Sequence, residues 1–149
     1  MKALKVDGTP LSEIKRLVDH WLQKYDWRLH EKQLNILPQY IVPISVNDFG
    51  TLNIHFVHQQ SSRSNAIPLL FCHGWPDHFA EVTNILPLLT EPPADQQAFH
   101  VVAPSTPRFT FSTNPSLKGF NVGKIAETFN KLMLILNTLR KAEIGDLQL

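Results

Sequence analysis

The sequence predicts an α/β domain built on a mixed sheet and preceded by a helical segment, and three observations carry that prediction. Apolar residues recur at helical spacing from Leu11 to Tyr25. Two runs rich in Ile, Val and Phe then flank the turn formers Asn47, Asp48 and Gly50. Beyond them, short apolar runs alternate with amphipathic stretches in the order strand, helix, strand, helix, the pattern of an α/β core.

Thr9 and Pro10 form a helix start: a hydroxyl cap, then a residue whose missing N–H costs nothing at the first position. Leu11, Ile14, Leu17, Val18, Trp21, Leu22 and Tyr25 mark one face of a helix running to about residue 24, with Lys15, Arg16, Asp19, Gln23 and Lys24 opposite. Trp21 and Trp27 read as packing anchors on that periodicity. A second helical segment, Trp27 to Leu37, is stopped by Pro38. Gln39 to Val46 and Thr51 to His58 form a hairpin, with Leu52, Ile54 and Phe56 on its buried face and Asn53, His55 and Val57 on the other. Asp48-Phe49-Gly50 is the turn of that hairpin, since no glycine-rich phosphate loop accompanies it.

Ser61 to Asn65 is a polar loop, and Ile67 to Cys72 an almost unbroken apolar run that reads as a strand buried on both faces within a parallel sheet. After the polar break His73 to His78, Phe79, Val82, Ile85, Leu86 and Leu89 follow helical spacing, with Pro87 at an end or kink. Phe99 to Ala103 is a second short buried strand, and Pro104 to Phe120 a long irregular stretch of the kind that often carries function. The last element runs from Asn121 to about Lys141, with Arg140 and Lys141 suited to the negative end of a helix.

Composition narrows the function classes. Among 149 residues, 14 Lys and Arg stand against 13 Asp and Glu, a net charge of +1 with no basic run, which argues against nucleic-acid binding through phosphates. The single cysteine, Cys72, forms no internal disulfide and fits a reducing compartment. The longest apolar run, Leu132 to Leu136, is five residues, far short of the ~20 that span a bilayer. No apolar leader follows Met1, so the expected location is the cytoplasm. Cys72, His73, Asp77 and His78 lack a second cluster to complete a metal site, so no metal or other cofactor is expected.

The informative motif is His73-Gly74-Trp75-Pro76, between a predicted buried strand and a helix. Ligands of open α/β sheets gather outside the carboxyl ends of the strands, and a glycine there suits a turn that points an N–H into the cleft. The N–H of Trp75 would then serve as an oxyanion donor, with Pro76 stiffening the loop and the Trp75 ring as an apolar wall. His73 reads as a loop histidine satisfying backbone groups rather than a proton shuttle.

On these residues the sequence resembles the microsomal-type epoxide hydrolases of the α/β-hydrolase superfamily. Leu17-Val18-Asp19-His20-Trp21-Leu22, Tyr25-Asp26-Trp27-Arg28 and Leu34-Asn35 are similar to that family's N-terminal segment. Ile54-His55-Phe56 and Ile67-Pro68-Leu69-Leu70 resemble its entry into the sheet, His73 to Pro76 its oxyanion loop, and Phe99 to Ser105 the strand and turn that follow. The likeness runs over roughly residues 11 to 136. It implies residues 1–46 as the helical segment and first strand, and 47–149 as the first part of an α/β-hydrolase core, an incomplete sheet stopping before or at the nucleophile elbow. It also implies a small-molecule epoxide as substrate and a two-step hydrolysis through an aspartyl ester.

Two departures accompany the resemblance. The family's nucleophilic aspartate would fall close to Asp146, yet Ile144 and Gln148 stand where the elbow needs small residues and only Gly145 fits, so Asp146 reads as a solvated carboxylate. In Pro107-Arg108-Phe109-Thr110-Phe111-Ser112, Arg108 and Thr110 replace two glycines of the family pattern; at positive φ each replacement would cost of order 1 kcal/mol. Because Tyr25 and Tyr40 are the only tyrosines and no His base or lid follows, the chain by itself is expected to be inactive and poorly soluble, with non-cooperative unfolding. The alternative is a non-catalytic module that self-associates, or pairs with a complementary chain or paralogue, through the strand 67–72.

Overall fold

The computed structural model describes residues 8–139, and the side chains of 8–136. It divides into two compact units between Leu34 and Asn35. Asp146 and the Arg140–Lys141 pair lie outside the described residues.

The first unit is α1, Leu11–Lys24, and α2, Trp27–Leu34. The expected hydroxyl cap is not used. Pro10 itself occupies the cap position, with Glu13 N–H and Ile14 N–H donating to its carbonyl at 3.0 and 3.2 Å, so Thr9 stands one residue too early to cap. Asp26 instead caps α2, accepting from the N–H groups of Arg28 (2.9 Å) and Leu29 (3.3 Å). Helix α2 ends three residues before the predicted limit, because Leu37 precedes Pro38 and is pushed out of the α region, and Asn35 and Ile36 turn first. Trp21 and Trp27, expected as packing anchors, are 67% and 51% exposed: two short helices hold too few apolar side chains to enclose their own face.

The second unit begins with the hairpin β1, Gln39–Val46, and β2, Gly50–Gln59, paired antiparallel from Gln39–Val57 to Val46–Gly50. Asp48 and Gly50 take φ of 69° and 72° in its turn, the left-handed conformation that Asp and Gly tolerate best. With β3, Ile67–Leu70, and β4, Phe99–Pro104, the sheet order is β1-β2-β4-β3, with β4 antiparallel to β2 and parallel to β3.

β3 corrects the sequence reading. It is four residues long rather than six and none of its residues is buried, with Ile67 49% exposed and Cys72 exposed, whereas its parallel pairing with β4 and its open edge are as expected of the strand 67–72. Among the described residues only β4 pairs with it.

A 3₁₀ turn, Phe79–Asn84, leads into α3, Leu86–Thr90, where Pro87 occupies the first turn and needs no hydrogen-bond acceptor. The last helix, α4, spans Val122–Leu139, with Asn121 Oδ1 accepting from Lys124 N–H at 3.2 Å. Leu132 and Leu136 of α4 pack against Ile44, Val46, Leu52, Ile54, Phe56 and Val102, so this helix covers one face of the sheet. Removing each such side chain from water contributes about 1.5–3 kcal/mol before the entropy of ordering is counted. The opposite face is covered as well: His55 and Val57, expected on the less buried side of β2, are 1% and 0% exposed, and Phe79 and Val82 of the 3₁₀ turn are buried.

Polar contacts fasten α4 to the hairpin. Lys131 Nζ reaches Glu127 Oε1 (2.6 Å) and the Ser45 carbonyl (2.8 Å), and Lys124 Nζ reaches Glu127 Oε2 (3.1 Å) and the Asn47 carbonyl (2.9 Å). Asn47 N–H donates to Glu127 Oε1 at 3.0 Å. The Lys131 hydrogen bond foremost, then Asn47 N–H and Lys124, hold the Glu127 carboxyl down to about 2. A depressed carboxyl pKa contributes stability that is full above the ordinary 4.5 and is lost as pH falls toward 2. Glu127→Gln is therefore expected to speed hydrogen exchange at the Asn47 amide near neutrality and to flatten its dependence on pH between 4.5 and 2; an unchanged profile would show that the lysines alone hold the helix.

Candidate active site at the end of strand β3

Phe71 N–H donates to the Val102 carbonyl at 2.8 Å, extending the parallel ladder one residue beyond β3 before the chain leaves the sheet. His73, Gly74, Trp75 and Pro76 follow at that carboxyl end, where α/β sheets bind ligands. His73 spans two loops: its Nε2 accepts from Thr106 N–H at 3.1 Å, its Nδ1 lies 2.9 Å from the Gly74 carbonyl, and its ring meets Phe109 edge-on at 5.1 Å. Gly74 N–H donates to Glu81 Oε2 at 3.1 Å, and its carbonyl also accepts from Asp77 N–H at 3.3 Å. The turn does not require glycine's special freedom, since Gly74 has no positive φ and a Cβ there would meet nothing within 4 Å. Trp75 is 84% exposed, and the Trp75–Pro76 peptide is cis.

Asp77 and His78 serve the following turn. Asp77 Oδ1 accepts from His78 N–H at 2.8 Å, and His78 Nδ1 from Ala80 N–H at 3.3 Å. Among the described residues no group of three or more metal-ligating side chains converges.

Sequence reasoning missed the buried network beneath this site. His55 places Nδ1 2.8 Å from Ser105 Oγ and Nε2 3.0 Å from Gln39 Oε1, with its ring against Phe79 (4.7 Å) and Phe111 (5.1 Å). Ser105 Oγ lies 2.6 Å from Thr110 Oγ1, Ser105 N–H donates to the His55 carbonyl at 2.8 Å, and His55 N–H donates to Ser112 Oγ at 3.0 Å. The Ser112 hydroxyl in turn donates to the Ser105 carbonyl at 2.7 Å. Burial pushes the His55 imidazole down to about 4, so it is neutral near pH 7. The loop between Ser105 and Thr113 is thus tied to the middle of β2, and it holds Arg108 at φ 83° and Thr110 at φ 42°. A histidine between two core residues, in Ile54-His55-Phe56, was the available signal.

A mixed sheet whose parallel pair β3–β4 delivers a His-Gly-Trp-Pro loop at its carboxyl end is the leading part of an α/β-hydrolase sheet. The family model described as epoxide hydrolase N terminus matches residues 2–82, and the chain belongs to that family. It is 40% identical over 131 residues to epoxide hydrolase 1 of Sus scrofa, an alignment covering 83% of this chain and 28% of that protein. The structure of Aspergillus niger epoxide hydrolase aligns with a TM-score of 0.74 at 35% identity, covering 87% of this chain and 33% of that one. Juvenile hormone epoxide hydrolase from the silkworm Bombyx mori aligns with a TM-score of 0.76 at 28% identity, over 87% of this chain and 34% of that one. The chain therefore spans about 28% of the length of the curated relative it matches. No helix among the described residues is long and apolar enough to cross a membrane.

Proposed function

We propose that this chain supplies the oxyanion loop and the first third of the catalytic fold of an epoxide hydrolase, and that the 149 residues by themselves do not turn over epoxides. Residues 1–46 are in this reading the helical segment and first strand, and 47–149 the opening part of the hydrolase core. The observation that carries it is the loop His73 to Pro76 at the carboxyl end of β3, within a family match that reaches residue 82. In the reaction a carboxylate attacks an epoxide carbon as the C–O bond breaks and the freed oxygen takes up a proton from an acid, leaving a hydroxy ester; water, giving up a proton to a base, then cleaves the ester and releases the diol and the carboxylate. The Trp75 N–H would stabilise the oxyanion of the second step. Ester-forming carboxylate, base and lid come from the part of the family fold that this chain does not span.

The open edge of β3 supports a second reading, a non-catalytic module that pairs with a second copy, a complementary chain or a paralogue. One experiment separates the two. The chain is mixed with the remainder of epoxide hydrolase 1, and association and diol formation from an aryl epoxide are measured. Turnover in the mixture and none from the chain alone supports the catalytic reading; a stoichiometric complex without turnover supports the module. No association at micromolar concentration removes both heterologous forms and leaves only self-association.

A further inference from the structure

We propose that His73 is a positioning residue: it aims the Trp75 N–H by holding the other end of the same peptide group. The inference rests on the reading of residues 73–76 as an oxyanion loop. The peptide between Gly74 and Trp75 carries the Gly74 carbonyl and the Trp75 N–H, and in a planar trans peptide these two groups point in opposite directions. Whatever fixes the carbonyl fixes the N–H.

Two donors fix it, His73 Nδ1 at 2.9 Å and Asp77 N–H at 3.3 Å. The role of Nδ1 follows from the other side of the ring. Thr106 N–H can only donate, so Nε2, 3.1 Å away, must present its lone pair, and the neutral ring then carries its proton on Nδ1. Thr106 sets the tautomer, and the tautomer makes His73 a donor to Gly74.

The neighbouring amide is already engaged. Gly74 N–H donates to Glu81 Oε2, whereas Trp75 N–H meets no acceptor among the described residues. Of these two amides, Trp75 N–H is the one open to an incoming oxyanion among the described residues. Were the peptide to flip, the Gly74 carbonyl would face the developing negative charge and the donor would be lost. Loss of one such donor lowers kcat by about 10²- to 10³-fold.

Two substitutions separate the functions of the two ring nitrogens. Asparagine places an amide N–H near the position of Nδ1 and can still hold the Gly74 carbonyl, but it gives up Thr106. Glutamine reaches toward Nε2 and can still accept from Thr106, but leaves the Gly74 carbonyl to the longer bond from Asp77 N–H alone. On the whole chain, ring ¹⁵N shifts of His73 and the amide resonance and hydrogen-exchange rate of Trp75 are recorded for the wild type, His73→Asn and His73→Gln. The expected result is a proton on Nδ1, a Trp75 amide that His73→Asn preserves and His73→Gln displaces, and, in the complex with the remainder of epoxide hydrolase 1, kcat within about threefold for His73→Asn but about 10²-fold lower for His73→Gln at unchanged KM.

A wild-type ring protonated on Nε2 overturns the proposal whatever the variants do. So does a Trp75 amide preserved by glutamine and lost with asparagine, since His73 would then only tether two loops, and so does an amide indifferent to both. Because the resonances need no turnover, the two readings fail separately: an intact Trp75 signature in a complex that makes no diol sinks epoxide hydrolysis, and a displaced signature in His73→Asn with full turnover sinks this inference.

Discussion

Between pH 6.5 and about pH 4, the free energy of local opening at the Ser105 amide is expected to fall by about 3 kcal/mol, and His55→Gln is expected to abolish that dependence. The cause is the burial of His55, whose pKa is pushed from 6.5 down to about 4. As pH drops below 6.5 the opened chain takes up a proton on this imidazole while the folded chain does not, so stability is full above 6.5 and declines until the folded form also titrates near 4. The groups facing the ring are the Gln39 carboxamide of β1, the Ser105 hydroxyl backed by Thr110, and the rings of Phe79 and Phe111; none carries a charge that would stabilise an imidazolium. Native-state hydrogen exchange reads the effect locally and requires no cooperative global transition. The Glu127 cluster supplies an internal reference, since its window lies between 4.5 and 2 and is read at the Asn47 amide instead. A flat Ser105 profile between 6.5 and 4 would mean that water or a counter-charge reaches His55 in the folded chain.

What was legible in the sequence was whatever depends on local chemistry. The hairpin could be placed because Asn47 to Gly50 are turn formers between two runs of strand-forming residues, and the face turned to the core followed from the alternation of Leu52, Ile54 and Phe56. Helix α4 could be placed because a long run of helical spacing admits one reading. What failed depends on neighbours. An apolar run such as Ile67 to Cys72 reads the same whether or not other layers cover both of its faces, so the exposure of Ile67 and Cys72 was not legible. His55 looked like one more residue on the less apolar face of β2, because the partners that bury it, Gln39 and Ser105, are 16 and 50 residues away in sequence. The loop His73 to Pro76 was legible as a motif, but the bond from Thr106 that sets the His73 tautomer was not, since it comes from the strand-end loop of β4. Asp146 lies outside the described residues.

Arg108→Gly is expected to stabilise the loop between Ser105 and Thr113 by about 1 kcal/mol, and Arg108→Ala to give none of that gain. Arg108 sits at φ 83°, where a Cβ crowds the backbone and glycine does not, and alanine keeps the Cβ while discarding the rest of the side chain. The pair of variants therefore separates backbone strain from anything the guanidinium does. Thr110 at φ 42° is a harder case, because a β-branched residue in the left-handed region is strained further, yet its hydroxyl lies 2.6 Å from Ser105 Oγ. Thr110→Gly relieves the strain and removes a hydrogen bond worth about 1 kcal/mol, so its net gain is the smaller of the two. Both are read by hydrogen exchange at the Thr113 amide, which donates to the Asn53 carbonyl at 2.9 Å and closes the loop onto β2. Equal gains from Arg108→Gly and Arg108→Ala would place the cost in the arginine side chain, and a loss from Arg108→Gly would mean that no strain is stored there. The expected gain bears on the candidate site because the same loop carries Phe109, whose ring abuts His73, so a loop held more firmly also holds the residue that aims Trp75.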